Sequence, residues 1–302
     1  MQRYNCVVKS KLVKLTEQEG MLVKICIRAH DLGVKGTPGI LGELDRLGID
    51  GVQMVCYKAY EDIPYKPGAI TPEKAKSIAG AFSEAGAMIP LIGAYFNPVH
   101  SNPEKVATCK GIFGEYLKVA GDMGCNVVGS ETGSFNDDKW TYHPRNRTEE
   151  ALQTVVATFS DLCDIGADHG AVVAMEGAAG HVCYDVDTLQ RAQKMMNRSN
   201  TRVIFDLYNY LDESNQGDYL KILEKGLDVF GDRILLFHMK DCTFVNGGKP
   251  NQVPFGTGDM DLKTILRMIR AHDENAVLTL EGTTGDYIRG AVSTIREIWE
   301  QV

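Results

Sequence analysis

The sequence predicts an α/β protein with a single domain, a (β/α)8 TIM barrel at residues 23–302 that follows an N-terminal arm at residues 1–22. Two observations predict this fold. Short apolar runs alternate eight times with longer segments that carry helix start and stop signals, which is the order of a parallel barrel. The apolar runs are also continuous rather than alternating, as is typical of strands buried on both faces.

The predicted strands are bounded by glycine, proline or polar clusters. Pro90 lies inside the third, and because proline cannot donate a hydrogen bond to a neighbouring strand, it predicts a bulge or a strand start there. We place the strands at residues 23–27, 51–57, 88–95, 126–130, 172–175, 203–205, 234–237 and 277–280.

Helix boundaries are marked by local sequence signals. Thr37-Pro38, Thr71-Pro72 and Asn102-Pro103 predict helix starts, since proline is tolerated in the first turn, and Gly86 predicts a stop. We expect a long loop at residues 242–260, in which Gly256-Thr257-Gly258 forms the turn into the next helix. The predicted helices cover about residues 37–47, 71–85, 102–123, 148–169, 187–197, 216–230, 261–270 and 286–299.

Composition limits the classes of partner. The net charge of -8 argues against a nucleic acid or an anionic membrane, because both are bound by positive surfaces. No apolar run approaches the roughly 18 residues of a membrane span, and the N-terminus lacks the apolar region of a signal peptide. The eight cysteines are scattered without metal-binding spacing, which fits free thiols. We therefore expect a cytoplasmic protein that binds neither nucleic acid nor membrane.

Four predicted strands each end in a residue that can ligate a metal: Glu176, Asp206, His238 and Glu281. The carboxyl ends of barrel strands converge on one face, so we expect these side chains to meet there. Any one of them alone could be a helix cap or part of an ion pair. Together, three carboxylates would repel one another unless a cation lay between them. The set predicts one divalent metal ion, with Mn²⁺ first and Mg²⁺, Co²⁺, Fe²⁺ or Zn²⁺ open.

A metal of this kind has a known chemical use. It can polarise a sugar carbonyl so that the adjacent C–H becomes acidic. One carboxylate can then remove that proton and another can return it, either to the other face of the same carbon or to the neighbouring carbon. The residues therefore predict isomerase or epimerase chemistry through an enediolate.

The strand-end motifs carry a family resemblance. They are Val-Ala-Met-Glu176, Ile-Phe-Asp206, Leu-Phe-His238-Met-Lys240-Asp241, the Gly256–Asp261 turn and Leu-Thr-Leu-Glu281. In this order they resemble the sugar phosphate isomerase/epimerase family of xylose isomerase-like barrels. The resemblance implies that the four strand-end residues bind one metal and that Glu176 and Glu281 are also the catalytic acid/base pair. It further implies that His181 and Lys240 face a small carbohydrate substrate, and that the protein forms a homodimer or homotetramer.

Departures from the family pattern leave the reaction open. Many members carry histidine where this chain has Asn209, and the ketose 3-epimerase branch has an acid in place of Gln53 and an arginine soon after the residue matching His238. A lyase of the same superfamily, such as an inosose-type dehydratase or a carbon-glycoside eliminase, is the main alternative. A nuclease resembling endonuclease IV, which has the same barrel, and a non-catalytic sugar-binding subunit are further alternatives.

Other polar residues follow the remaining strands. As candidate substrate-binding residues we take Asn209 together with His30, Asn97, His100 and Glu131. Polar side chains at such positions can equally bind loop backbone. Lys240 likewise has two interpretations, since it can face the substrate or pair with Asp241 at the rim. The loop with Trp140 and His143 can cover the barrel mouth or simply pack.

Overall fold

The computed structural model describes residues 23–302, and the expected N-terminal arm at residues 1–22 lies outside this range. The strands are β1 Lys24–Arg28, β2 Gly51–Met54, β3 Met88–Gly93, β4 Val127–Glu131, β5 Val172–Glu176, β6 Thr201–Asp206, β7 Ile234–Met239, β8 Asp241–Thr243, β9 Asn251–Val253 and β10 Val277–Leu280. The α-helices are α1 Gly36–Leu47, α2 Cys56–Ala59, α3 Pro72–Glu84, α4 Pro103–Val119, α5 Glu149–Asp168, α6 Val186–Met196, α7 Tyr219–Phe230, α8 Leu262–His272 and α9 Tyr287–Gln301.

Eight of these strands close into a parallel barrel in the order β1-β10-β7-β6-β5-β4-β3-β2. Each is followed by a helix that packs outside the sheet, so the predicted (β/α)8 fold is confirmed. Parallel strands bring their carboxyl ends to one rim, and β6 and β7 pair with Asp206 opposite His238. In the same way β4 and β5 pair with Glu131 opposite Glu176. The fold itself therefore places the candidate site residues at one end of the barrel.

Helix starts follow the predicted caps. The side chains of Thr71, Asn102 and Thr148 accept hydrogen bonds from the backbone N–H groups three residues later, at the starts of α3, α4 and α5. Such caps satisfy a helix N–H that has no partner within the helix and contribute about 1 kcal/mol each. The first turns of α3 and α4 also hold the expected prolines.

The core lies between the barrel and its helices. Phe205 points outward from β6 and packs edge-on against Phe230 of α7 and Phe237 of β7, with ring centroids 6.3 and 6.0 Å apart. Gly226 on α7 lets the helix approach this ring, because a Cβ there would lie 2.0 Å from Phe205 Cε2. Truncating a buried phenylalanine of this kind costs about 3–5 kcal/mol.

The bulge predicted at Pro90 is present, because the β2–β3 pairing passes from Gly51 opposite Met88 to Gln53 opposite Leu91. The β3 strand thus has one extra residue here, and Gly51 has no room for a side chain, since a Cβ would lie 2.1 Å from the Met88 carbonyl oxygen. Proline is tolerated at such a bulge because it leaves no ladder hydrogen bond unmade.

Two expectations about secondary structure are wrong. The second strand ends at Met54 rather than at residue 57, because the chain turns at once into the short helix α2. The loop predicted at residues 242–260 contains an antiparallel hairpin of β8 and β9, with Asp241 opposite Val253. These strands have only three residues each, which is too short for a clear period in sequence.

Within residues 23–302, no helix combines the length and the apolar character needed to span a bilayer. The seven cysteines of this range are all unpaired, as expected for free thiols.

Candidate metal centre

Glu176, Asp206, His238 and Glu281 meet at the carboxyl ends of their strands. One ligand atom from each lies within 4.8 Å of all the others. The imidazole is central, because His238 Nδ1 lies 2.9 Å from Glu281 Oε2, 3.3 Å from Glu176 Oε1 and 3.5 Å from Asp206 Oδ2. The side chains of His238 and Asp206 are fully buried. Four strands thus hold three carboxylates and one imidazole around a common point.

The electrostatics of this cluster favour a cation at its centre. Burial alone would lower the pKa of His238, yet Glu281, Glu176 and Asp206 hold that pKa well above its usual value. Burial and the nearby Glu281 and Asp206 raise the pKa of Glu176, although His238 opposes the shift. The carboxylates therefore attract a proton onto the imidazole in the absence of a metal. This donor set fits a divalent ion, with three carboxylate oxygens and one nitrogen that can lose its proton.

Two further cations compensate the carboxylates. Lys240 Nζ lies 2.8 Å from both Asp206 Oδ2 and Glu281 Oε1, and Arg28 Nη1 donates to Glu281 Oε1 at 2.9 Å. Burial raises the pKa of Glu281, but Lys240, His238 and Arg28 outweigh it and hold this pKa well below its usual value. The same carboxylates raise the pKa of Lys240 against its burial. Glu281 is therefore held as a carboxylate.

The structure does not pair Lys240 with Asp241, and the contact of this lysine with a substrate stays a prediction. Its ammonium group points into the site, where it also donates to Asn209 Oδ1 at 3.0 Å. Asp241 instead accepts hydrogen bonds from the backbone N–H groups of Gly256 and Gly258, at 3.1 and 2.8 Å. The two glycines therefore enclose a carboxylate of the protein, in a turn that leads into α8 as expected.

Asn209 is part of the site. Its Nδ2 donates to Glu176 Oε1 at 2.7 Å, and its backbone N–H donates to Asp206 Oδ1 at 2.9 Å. Together with the contact to Lys240, these bonds connect Asn209 to two of the proposed ligands. Asn209 thus orients the cluster through Glu176 and Asp206.

Gln53 contacts the cluster from the opposite side. Its Oε1 lies 2.6 Å from His238 Nε2, and its Nε2 donates to the Tyr95 hydroxyl at 2.7 Å. Gln53 is completely buried on β2. An outer hydrogen bond of this kind fixes the orientation and the tautomer of a metal-binding histidine.

A cleft opens above the cluster in two adjoining lobes. We define the inner lobe as the cavity of about 250 Å³ that reaches Glu176, Glu281, Arg28, His30, Lys58 and Tyr95. We define the outer lobe as the cavity of about 880 Å³ that reaches Tyr142, Arg147, His181, Asn209, Leu211 and Lys249. Glu131 and Trp140 line both lobes. The inner lobe is the smaller and directly adjoins the proposed acid/base pair.

Three further candidates line this cleft. His30 lies in the inner lobe, where burial, Arg28 and Lys58 lower its pKa to about 4. Glu131 lies between the lobes, where burial and the nearby Glu176 and Glu281 raise its pKa well above the usual value. His181 is almost fully buried beside the outer lobe; its Nε2 lies 3.2 Å from the Trp140 carbonyl oxygen, and burial lowers its pKa to about 4.

Asn97 and His100 are not among the residues that line either lobe. The Asn97 amide donates to the carbonyl oxygens of Ser134 and Asp137 and accepts from the N–H groups of Val99 and Ser134. His100 Nδ1 accepts from the Asn102 N–H at the start of α4. Their contact with a substrate stays a prediction, and in this structure both side chains bind loop backbone.

Sequence reasoning missed Arg28, Gln53 and Tyr95 as site residues. Arg28 ends β1, and β1 pairs with the strand that carries Glu281. The carboxyl end of every barrel strand reaches the same mouth, so a charged residue at that position was a usable signal. Gln53 and Tyr95 lie in or next to apolar runs, where an uncharged side chain gives no such signal.

Comparisons with known proteins agree with this architecture. Residues 41–298 match the family described as xylose isomerase-like TIM barrel. A D-tagatose 3-epimerase-like protein matches with a TM-score of 0.72 at 16% identity, covering 93% of this chain and 98% of that chain. A xylose isomerase-like TIM barrel protein from Mycobacterium smegmatis, in complex with magnesium, gives 0.68 at 12%, covering 93% and 97%. A probable 3-DHS dehydratase from Bacillus anthracis gives 0.68 at 12%, covering 91% and 98%.

At these identities the structural likeness is one of fold, and it spans proteins named for different reactions. A search of curated proteins found no match. The family match covers most of the chain, including all four residues of the candidate metal centre. This chain belongs to the xylose isomerase-like TIM barrel family.

Proposed function

We propose that this protein is a divalent-metal-dependent isomerase or epimerase of a sugar or sugar phosphate. The observation that carries the proposal is the convergence of Glu176, Asp206, His238 and Glu281 within 4.8 Å of one another beside the inner lobe. A bound divalent ion would polarise a substrate carbonyl and acidify the adjacent C–H. Mn²⁺ is our first candidate, and the oxygen-rich ligand set also suits Mg²⁺.

In this proposal Glu176 and Glu281 move the proton. Glu176 ends β5 and Glu281 directly follows β10, and because β6 and β7 lie between these two strands in the barrel, the two carboxylates approach the inner lobe from two sides. One carboxylate removes the proton beside the carbonyl, and the other returns a proton to the opposite face or to the neighbouring carbon. Both line the inner lobe, as this role requires.

The remaining residues of the site orient the two glutamates and compensate their negative charge. Lys240 and Arg28 offset negative charge at Glu281, while Asn209 holds Glu176 in place by a hydrogen bond. His30 and Lys58 present polar groups to the inner lobe, where they can contact substrate hydroxyls. We propose a small carbohydrate as the substrate because these groups are numerous and close together.

A lyase of the same superfamily would share the first proton abstraction and differ only in the fate of the enediolate. A nuclease resembling endonuclease IV is disfavoured by the net charge of -8 and by Gln53 and Asn209, which stand where further metal ligands would be expected. A non-catalytic sugar-binding role would require that the four ligands bind no metal. A homodimer or homotetramer remains our expectation from the family.

The test is solvent deuterium incorporation. The Mn²⁺-loaded protein is incubated in D₂O with ketoses, ketose phosphates and 3-keto glycosides, and the sugars are analysed by NMR. We expect deuterium at a carbon beside the carbonyl, and the product then distinguishes epimerase, isomerase and lyase. Absence of exchange with every compound, in protein that binds Mn²⁺ by calorimetry, would contradict the proposal.

A further inference from the structure

The outer lobe is larger than the reaction requires. The proposed acid/base pair lies against the inner lobe of about 250 Å³, which is below the roughly 300–1,000 Å³ of cavities for drug-sized ligands. The outer lobe of about 880 Å³ lies within that range. Glu131 and Trp140 line both, so the two lobes are neighbours that meet at these two side chains.

We propose that the substrate has two parts: a sugar that reacts in the inner lobe and an uncharged ring, joined to it as in a glycoside or disaccharide, that binds in the outer lobe. This inference rests on the proposed function and specifies its substrate class. Its occupant is deduced from the aromatic side chains, the apolar surface and the charges of the outer lobe.

Trp140 is held at the junction of the two lobes. Its backbone has φ 53° and ψ 31°, the left-handed region that bulky residues rarely adopt. Its carbonyl oxygen lies 3.2 Å from His181 Nε2, and its ring meets the His181 ring edge-on with centroids 5.5 Å apart. Such strain persists only where surrounding contacts maintain it. The structure thus keeps an indole ring where the two parts of a substrate would join.

Tyr142 extends the aromatic surface into the outer lobe. It is 56% exposed, unlike most large apolar side chains of the described residues. The Arg147 guanidinium lies 5.5 Å from its ring and 3.4 Å from the ring of Tyr184. Ala178, Ala179 and Leu211 add apolar surface to the same lobe. Aromatic and apolar surfaces of this kind bind flat rings, including the apolar faces of sugars.

The outer lobe has no excess of positive charge. Arg147 and Lys249 contribute two basic groups, whereas Glu131, Asp212 and Glu213 contribute three acidic groups. A phosphate or nucleotide would meet more acidic than basic groups there, so this lobe has no electrostatic preference for an anion. A neutral ring fits this lining better.

The experiment compares matched ligands by calorimetry on the Mn²⁺-loaded protein. Phenyl β-D-glucopyranoside and cellobiose are each measured against methyl β-D-glucopyranoside, and the comparison is repeated with galactosides. We expect at least one ligand with two rings to bind at least tenfold more tightly than its methyl counterpart. The phenyl and disaccharide arms show whether the second group is an aryl ring or a sugar.

Trp140→Leu and Tyr142→Ala should each reduce this preference to less than threefold. Tyr287→Ala is the matched control, because Tyr287 is 57% exposed and is not among the residues that line the two lobes. The proposal is overturned if no two-ring ligand binds more tightly than its single-ring partner, or if the preference survives both substitutions.

Binding ratios do not depend on turnover, so the two proposals can fail separately. If two-ring ligands bind more tightly but no deuterium exchange occurs, the two-part binding site is supported and the proposed reaction is contradicted. If deuterium exchanges into free ketoses but all glycosides bind with equal affinity, the proposed reaction is supported and the two-part binding site is contradicted.

Discussion

Gln53 Oε1 lies 2.6 Å from His238 Nε2, although 185 residues separate them in sequence. The Gln53 amide nitrogen donates to the Tyr95 hydroxyl, so the amide oxygen faces the imidazole and can only accept. His238 Nε2 must therefore carry a hydrogen. When the ring is neutral, Nδ1 then presents its lone pair to the space between Glu176, Asp206 and Glu281.

Gln53→Leu tests this relationship. The variant leaves the Nε2–H without an acceptor and frees the ring to change tautomer, so we expect Mn²⁺ affinity to fall by about 10–100-fold in calorimetry. Tyr95→Phe is the matched control, because it removes only the partner of the Gln53 amide nitrogen. We expect it to have the smaller effect, and an affinity of Gln53→Leu within twofold of the parent protein would disprove the assignment.

Removing the metal should abolish activity. We expect EDTA to stop deuterium exchange and Mn²⁺ to restore it in the parent protein. In Asp206→Asn, which keeps the acceptor for the Asn209 N–H but loses a buried charge, the same Mn²⁺ concentration should fail to restore exchange. The exposed Asp228→Asn serves as the control. Exchange that is indifferent to EDTA would point to a different mechanism.

Glu281→Gln should remove deuterium exchange to the limit of detection, because an amide cannot accept the substrate proton. The free energy of unfolding should fall by about 1–3 kcal/mol, since Lys240 and Arg28 lose the negative charge of one partner but keep Asp206 and Asp31. Urea denaturation measures this cost. Glu300→Gln, an exposed change on α9, should alter neither quantity; a fully active Glu281→Gln protein would exclude Glu281 from the mechanism.

Lys240→Met should make the protein depend on metal for stability. Without the ammonium group, Asp206 and Glu281 lose a cation at 2.8 Å, and breaking a buried ion pair costs about 3–5 kcal/mol. Mn²⁺ would replace that charge, so its addition should raise the melting temperature of the variant more than that of the parent. Lys249→Met, an exposed lysine of the outer lobe, is the control, and equal shifts in all three proteins would contradict the charge argument.

The buried His181 should make stability pH-dependent. Burial lowers its folded pKa from 6.5 to about 4, so the unfolded chain binds the additional proton between these values and stability falls as the pH drops through that window. When the pH falls from 7 to 4.5, the free energy of unfolding should therefore decrease by about 2 kcal/mol less in His181→Asn than in the parent protein. Urea denaturation at both pH values gives the difference. The exposed His169→Asn should behave like the parent, and His30 contributes equally to all three proteins.

The fold could be predicted because its signal is local and repeated. Each strand shows an apolar run, and each helix shows a cap or a proline, so errors are confined to element ends such as residues 55–57 and to the short hairpin of β8 and β9. The cluster of candidate metal ligands could be predicted for the same reason, since a charged or imidazole side chain at the end of a buried strand stands out from its surroundings.

Asn97 and His100 show where this reasoning stops. They follow a strand as Glu176 does, yet both bind the backbone of their own loops. A strand-end position places the Cα near the mouth, but the direction of the side chain depends on how the following loop folds.

The sequence by itself determined the barrel and the four candidate ligand positions at its mouth. Only the tertiary structure decided that Lys240 faces Asp206 and Glu281, that Arg28 neutralises Glu281, and that Gln53 orients His238. The physical reason is the separation along the sequence over which each interaction acts. Periodicity and caps act between residues a few positions apart, whereas these contacts join strands that meet only when the barrel closes.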